Sequence, residues 1–354
     1  MGQSERPSSG ERTVFSLISA QRSALMGFAA LWIVVFHVWR PVFDGVPGLE
    51  QAEDYARTFG YYGVDMFFFL SGMGLVFSID KHSLGGFYYR RLQKLALPYL
   101  AVGLARLGLE RFGLRRLLAL WTGYTVLTET MYRYLWFVQG IALLYLLFPL
   151  YYAPLRRSKR PALFTGAVLA VWLAATLLSV GHMRADLFGF TNRAAIFLLG
   201  VLLGEAGKRG LWPLRRWMIP AAGAALMLGA ACGVVSEFRM PKGLAKELVG
   251  LGGNLFTSLG ACVLLSALLE RFGRALRGLR AVLTFFGGFS LEFYCVQDLY
   301  ARNILIDWLT PLPPLAFNLA AIALATALGW GFWKLEGLFW KPIDKALARK
   351  GWLR

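Results

Sequence analysis

FFGGFSLEFYCVQDLY, residues 285–300, is a membrane-grade run with one residue out of place. Its aromatics, aliphatics and single Cys read as one unbroken apolar helix, yet Glu292 sits in the middle and Gln297 and Asp298 follow. An ionisable group at the centre of a bilayer costs at least about 2.5–3.5 kcal/mol and is kept where it faces a cavity or a partner. Two questions follow: how many such spans the chain has, and what their polar residues do.

Composition bears on the first. The chain has 354 residues, 57% hydrophobic and 16% charged, with a mean hydropathy of +0.53. Soluble domains run about 45–50% apolar and about 25% charged, so this balance points to a polytopic membrane protein. The formal charge of +18 does not indicate nucleic acid, because the basic residues fall between apolar runs and not on one face. Cys232, Cys262 and Cys295 all lie inside apolar runs without metal spacing, so neither a disulfide framework nor a metal site is expected. The polar stretch 1–22 has no hydrophobic core of a signal peptide, and Arg6 stands where a myristoylation signal wants Ser or Thr.

A helical span needs roughly 20 apolar residues to cross a core about 30 Å thick. Ten candidates meet that need: 24–43, 61–79, 95–110, 134–154, 162–180, 192–207, 217–235, 249–269, 281–300 and 313–335. The stretch 111–133, part basic and part apolar, reads as an interfacial or re-entrant piece. With the N-terminus inside, the even-numbered spans lead to KHSLGGFYYRRLQK (81–94), RRSKR (156–160), KRGLWPLRR (208–216), ERFGRALRGLR (270–280) and KPIDKALARKGWLR (341–354). Each is basic, as the positive-inside rule requires, whereas the first outer loop, DGVPGLEQAEDYAR (44–57), is acidic. The arginines at 106, 111, 115 and 116 break the rule on the outer side. The expected fold is all-α: a polytopic membrane helix bundle of about ten transmembrane helices, both termini cytoplasmic. Its transmembrane domain is 23–340, with tails at 1–22 and 341–354, in a cell membrane.

At a rise of about 1.5 Å per residue, His37 lies about 20 Å above the inner end of the first span. On the same scale Asp65 lies at about 24 Å, Ser71 and Glu292 at about 15–16 Å, and Gln297 at about 24 Å. These side chains share one layer in the outer half of the membrane, and that layer is the expected site. Histidine titrates nearest neutrality and can take a proton from a hydroxyl. A carboxylate such as Asp65 or Glu292 could fix its tautomer and steady the cation formed.

Several stretches then resemble the acyltransferase-3 family of integral-membrane O-acyltransferases, which modify bacterial surface carbohydrates and some natural products. They are GFAALWIVVFHVW (27–39), GVDMFFFLSGMGLVFS (63–78), FYYRRLQKLALPYL (87–100), LWFVQGIALLYLLFPL (135–150), NRAAIFLLGVLLGE (192–205), GGFSLEFYCVQ (287–297) and LEGLFWKP (335–342). The resemblance implies transfer of an acyl group, commonly acetyl, from cytoplasmic acyl-CoA as co-substrate to a hydroxyl at the outer face, with no permanently bound cofactor. It implies His37 as catalytic base with Asp65 and Glu292 beside it. Arg90, Arg91 and Lys94 match a basic motif whose guanidinium forks suit the phosphates of CoA. Ser71, Arg193, Trp136 and Gln297 fall in the matched segments as substrate- or donor-binding residues. Two positions depart from the pattern: Met26 stands where many members have Arg, with Arg22 the nearest basic residue, and Gln297 where many have His.

The competing class is a proton-coupled transporter or flippase, in which intramembrane His, Asp and Glu relay protons. Broken helices and paired halves would accompany it, and the sequence displays neither. The expected partners are acyl-CoA, a carbohydrate or small-molecule acceptor, and the lipid bilayer. Nothing in the sequence fixes the acceptor, the acyl chain length or the oligomeric state.

Overall fold

The structure, a computed structural model, describes residues 12–111, 113–124, 135–179, 185–241, 243–300 and 307–349. Among these, fourteen α-helices form and no strand does; an isolated bridge joins Thr13 to Pro213. The helices are α1 (Val14–Ala20), α2 (Arg22–Val38), α3 (Leu49–Thr58), α4 (Tyr62–Ser78), α5 (Leu84–Glu110), α6 (Leu114–Trp121) and α7 (Trp136–Arg157). There follow α8 (Pro161–Ser179), α9 (Ala185–Lys208), α10 (Met218–Phe238), α11 (Leu244–Arg271), α12 (Arg277–Gly288), α13 (Ser290–Tyr300) and α14 (Pro314–Arg349). Local chemistry sets their starts. Thr13 and Ser16 cap α1 reciprocally, Ser83 Oγ accepts from the Gly86 N–H at 3.2 Å to begin α5, and Pro161 and Pro314 open helices where a missing N–H is harmless.

Among the described residues, six helical stretches are long and apolar enough to cross a membrane, and eight if each of two bent pairs is one span. Of the ten expected spans, α5 has the length but falls short in apolar content. The reason for α5 is its load of Arg90, Arg91, Lys94, Arg106 and Glu110. The bends correct the sequence reading. α1 and α2 meet at 66°, and α12 and α13 at 70°, so the run 285–300 is not one continuous helix. Gly287 and Gly288, each about 1 kcal/mol poorer than Ala in a helix, end α12. A new turn then starts as the Phe293 N–H donates to the Phe289 carbonyl at 2.9 Å. The 111–133 stretch contains α6, which folds back along α5: the Tyr99 hydroxyl donates to the Leu120 carbonyl at 2.6 Å. Residues 125–134 lie outside the described ones, as do 1–11 and 350–354 of the two tails.

The chain divides into two compact units. The first comprises 1–26, 65–80 and 147–284; the second comprises 27–64, 81–146 and 285–354. In the first, α4 and α9 run parallel and touch through glycine. A methyl at Gly72 would collide with the Phe197 carbonyl, one at Gly200 with the Phe69 carbonyl, and one at Gly204 would meet the Met73 carbonyl at 2.6 Å. α10 and α11 form an antiparallel hairpin closed by Gly229 against Thr257 and Gly260 against Ala222. In the second, α2 lies against 60–63, with Gly60 on the Trp32 carbonyl and Gly63 on that of Ala29, while Gly329 of α14 admits the Phe293 backbone of α13. Close approach of small residues is the main packing force between helices in lipid.

The α4–α9 contact gives a first prediction. Gly200→Val is expected to lower stability by about 1–3 kcal/mol, towards the upper end because the obstacle is backbone and cannot move aside. Gly166→Ala in α8, where an added methyl meets open space, is expected to be neutral or to raise stability by up to about 1 kcal/mol. Unfolding midpoints in detergent read both; equal effects would show that α4 and α9 do not meet as described.

Candidate active site

In the second unit His37 lies in the last turn of α2 and Gln297 in α13. Their side chains meet, with His37 Nδ1 at 3.2 Å from Gln297 Oε1. An amide oxygen can only accept, so Nδ1 carries the proton and Nε2 presents its lone pair. Gln297 is 1% exposed, whereas His37 is exposed. The sequence reading gave the tautomer-fixing role to Asp65 or Glu292. The side chain within hydrogen-bond reach of His37 Nδ1 is that of Gln297.

Two clamps fix the chain just beyond His37. Glu53 of α3 accepts from Trp39 Nε1 at 2.8 Å, from the Val42 N–H at 2.9 Å and from the Phe43 N–H at 3.0 Å. Asn318, buried on α14, brackets Arg40 by accepting from its N–H and donating to its carbonyl, both at 2.8 Å, while the Arg40 guanidinium lies 3.7 Å over the Phe317 ring. Neither residue was singled out in the sequence, because their partners are largely backbone groups. Partial burial raises the Glu53 carboxyl, but the Trp39, Phe43 and Val42 donors and the Arg57 charge outweigh it and hold it below the usual glutamate range. The sign follows: the knot contributes fully above the unfolded value and is lost as pH falls through the lower folded one. The 39–43 segment is therefore expected to loosen only in acid. Glu53→Gln should loosen it at every pH, and amide exchange at Val42 and Phe43 checks both. Exchange unchanged in the variant would count against the knot.

Glu292, in the middle of the opening run, is 7% exposed and lies beside Glu336 of α14, also 7% exposed. Lys94 of α5 supplies the nearby positive charge. Glu336 was missed, although it stands in the LEGLFWKP stretch one residue beyond the expected end of the tenth span. From Glu292 to Gln297 is five residues, about 7.5 Å along α13. Five residues are also about 140° around the helix, so the group of Glu292, Glu336 and Lys94 and the His37–Gln297 contact lie on different faces of α13. The side chain of Asp298 lies outside the described ones.

The basic residues of α5 do not form one cradle. Successive positions on a helix point about 100° apart. Arg90 pairs with Asp344 at 3.0 Å, and Tyr89 and Gln93 donate to the same carboxylate. Arg91 turns away to lie between the Phe87 and Tyr145 rings, 5.7 and 5.8 Å from their centres, and Lys94 is exposed. Trp136 opens α7 beside Phe137, whose ring meets Tyr294 edge-on at 5.3 Å.

In the first unit, Asp65 of α4 is fully buried and pairs with Arg193 of α9, Nε to Oδ1 at 3.1 Å. Each lies seven residues before a crossing glycine, Gly72 or Gly200, so the helix contact that needs those glycines also places the ion pair. Ser71 is buried on α4. Arg22, the basic residue nearest the Met26 position, donates Nε to the Leu70 carbonyl at 3.3 Å and lies against Gly74, where an added methyl would meet its guanidinium at 3.2 Å.

Residues 24–334 match the model of a family, acyltransferase 3, described as an acyltransferase domain. The chain belongs to the acyltransferase-3 family. The match includes His37, Asp65, Lys94, Arg193, Glu292 and Gln297, whereas Glu336 lies two residues past its end. No curated protein and no solved structure matches the chain. Family and apolar helices together make this protein a multi-pass membrane acyltransferase. The bent α1–α2 and α12–α13 pairs are each a broken span or a re-entrant loop, a feature a transporter would also carry.

Proposed function

We propose that this acyltransferase moves an acyl group, acetyl by family resemblance, from cytoplasmic acyl-CoA to a hydroxyl of a carbohydrate or other acceptor at the outer face of a cell membrane. The observation that carries the reading is the His37–Gln297 pair, which leaves Nε2 as a directed base. Nε2 takes the proton of the acceptor hydroxyl, and the oxygen attacks the thioester carbonyl. The tetrahedral intermediate then collapses by breaking the C–S bond, and the departing CoA thiolate recovers the proton from the imidazolium. The products are an ester and CoA–SH, with no net proton change. A thioester is already activated, so no acyl-enzyme on Ser71 or Cys295 is required.

The donor's phosphates meet the Arg90 and Lys94 face of α5. Asp344 holds Arg90 there through a half-exposed ion pair, which is worth about 0–1 kcal/mol and is readily exchanged for a phosphate. Asp344→Asn is therefore expected to lower KM for acyl-CoA about two- to fivefold with kcat unchanged. Initial rates against donor concentration check it, and a raised KM would give Asp344 the opposite role.

The function itself is tested by thiol release from acetyl-CoA by purified protein in vesicles, joined to mass spectrometry of envelope glycans and small molecules with and without the gene. An acyl mass increment with acceptor-dependent CoA release is expected. The two broken spans favour a second reading, a transporter. Substrate movement without CoA release would select it.

A further inference from the structure

A cavity of about 920 Å³ opens along α5, between it, the end of α6 and α7, wholly within the second unit and away from the His37–Gln297 contact. Its middle is apolar: Leu92, Leu95, Ala96, Leu100, Ala142 and Leu146. Leu92, Leu100 and Leu146 are exposed, and α7, which carries Leu146, is long and apolar enough to cross a membrane, so the rim opens toward lipid. One end carries a single cation, Arg91, collared by Tyr88, Tyr89 and Tyr145. Aromatic residues beside a basic one mark the headgroup level of a bilayer. The other end holds the Gln139–Tyr99 hydrogen bond, Nε2 to hydroxyl at 2.8 Å, and the buried indole N–H of Trp121, which has no acceptor.

From Arg91 to Leu100 is nine residues, about 14 Å of helix. Half the hydrocarbon core is about 15 Å. The groove thus has the depth of one leaflet, a charge at its headgroup end and apolar walls below. CoA fits this poorly, since its pantetheine arm is lined with amides that the leucine walls cannot pair and whose burial costs free energy.

We propose that the groove is a binding site for one anionic glycerophospholipid, its phosphate on Arg91 and one acyl chain laid along Leu92, Leu95 and Ala142. The assignment does not depend on which hydroxyl the acyltransferase modifies. A lipid held there would bridge α5 and α7.

The test is native mass spectrometry of the full-length protein extracted in mild detergent, with mixed phosphatidylglycerol and phosphatidylcholine as probes. The wild type is expected to retain one phospholipid and to prefer phosphatidylglycerol about tenfold, because both lipids offer Arg91 a phosphate but the choline cation of phosphatidylcholine repels it. Arg91→Gln should abolish the preference, Ala142→Trp should abolish retention by filling the groove, and Arg160→Gln, an exposed loop arginine, should change neither. Because Ala142→Trp risks misfolding, delipidated wild type is also titrated with each lipid, and only phosphatidylglycerol should raise its melting temperature appreciably. Equal retention in Arg91→Gln and wild type, equal melting shifts from both lipids, or displacement of the lipid by acetyl-CoA would each overturn the proposal. The last result would make the groove part of the donor site.

Discussion

Replacing Arg193 alone by methionine is expected to destabilise the protein by about 3–5 kcal/mol, whereas replacing Arg193 and Asp65 together by Met and Leu should cost far less. Asp65 is completely buried and Arg193 is 12% exposed, so neither charge has water to fall back on when the other is removed. The ion pair recovers its desolvation through mutual attraction, and an orphaned carboxylate cannot. A double-mutant cycle on unfolding midpoints in detergent isolates the pair and should yield a coupling of about 0.5–3 kcal/mol. Additive single losses would mean that the two charges do not meet, and the parallel docking of α4 on α9 would fall with them.

Much of the fold was legible because membranes impose simple rules. Apolar runs of about 20 residues and basic segments after alternate runs located most helices without any tertiary information. The breaks were less legible. Gly287 and Gly288 are weak helix formers, but an apolar span tolerates glycine, and nothing local says that Phe289 turns the chain by 70°. The divergence of Arg90 from Arg91 was written in the helical period and could have been read there. The pairings of the site were not readable. His37 and Gln297 stand 260 residues apart, and a lone glutamine gives no sign of which imidazole it will hold. Glu53 and Asn318 escaped for a related reason: backbone amides, their main partners, leave no mark in a sequence.

Glutamine at 297 has a chemical consequence. Glutamine orients but does not titrate, so His37 is left as the one imidazole of the described pair. In Gln297→Leu the Nδ1 proton loses its acceptor, the other tautomer gains ground, and turnover should fall about 10–100-fold, the worth of a buried hydrogen bond of 1–3 kcal/mol. Gln297→Glu restores an acceptor for Nδ1 and should recover much of the rate, with its pH dependence displaced upward because a carboxylate favours the imidazolium. A purely structural role for Gln297 would leave the pH profile in place, and this comparison separates the two.

The measurement closest to the centre of the account is the amount of acylated envelope product, read by mass spectrometry, in cells expressing wild type or His37→Ala at equal abundance in the membrane. Loss of the base should reduce turnover about 10²–10⁴-fold, to background, while binding of acyl-CoA to the purified variant stays intact. Acylation persisting at wild-type level in a correctly inserted His37→Ala protein would contradict the assignment of this imidazole as the group that takes the acceptor's proton.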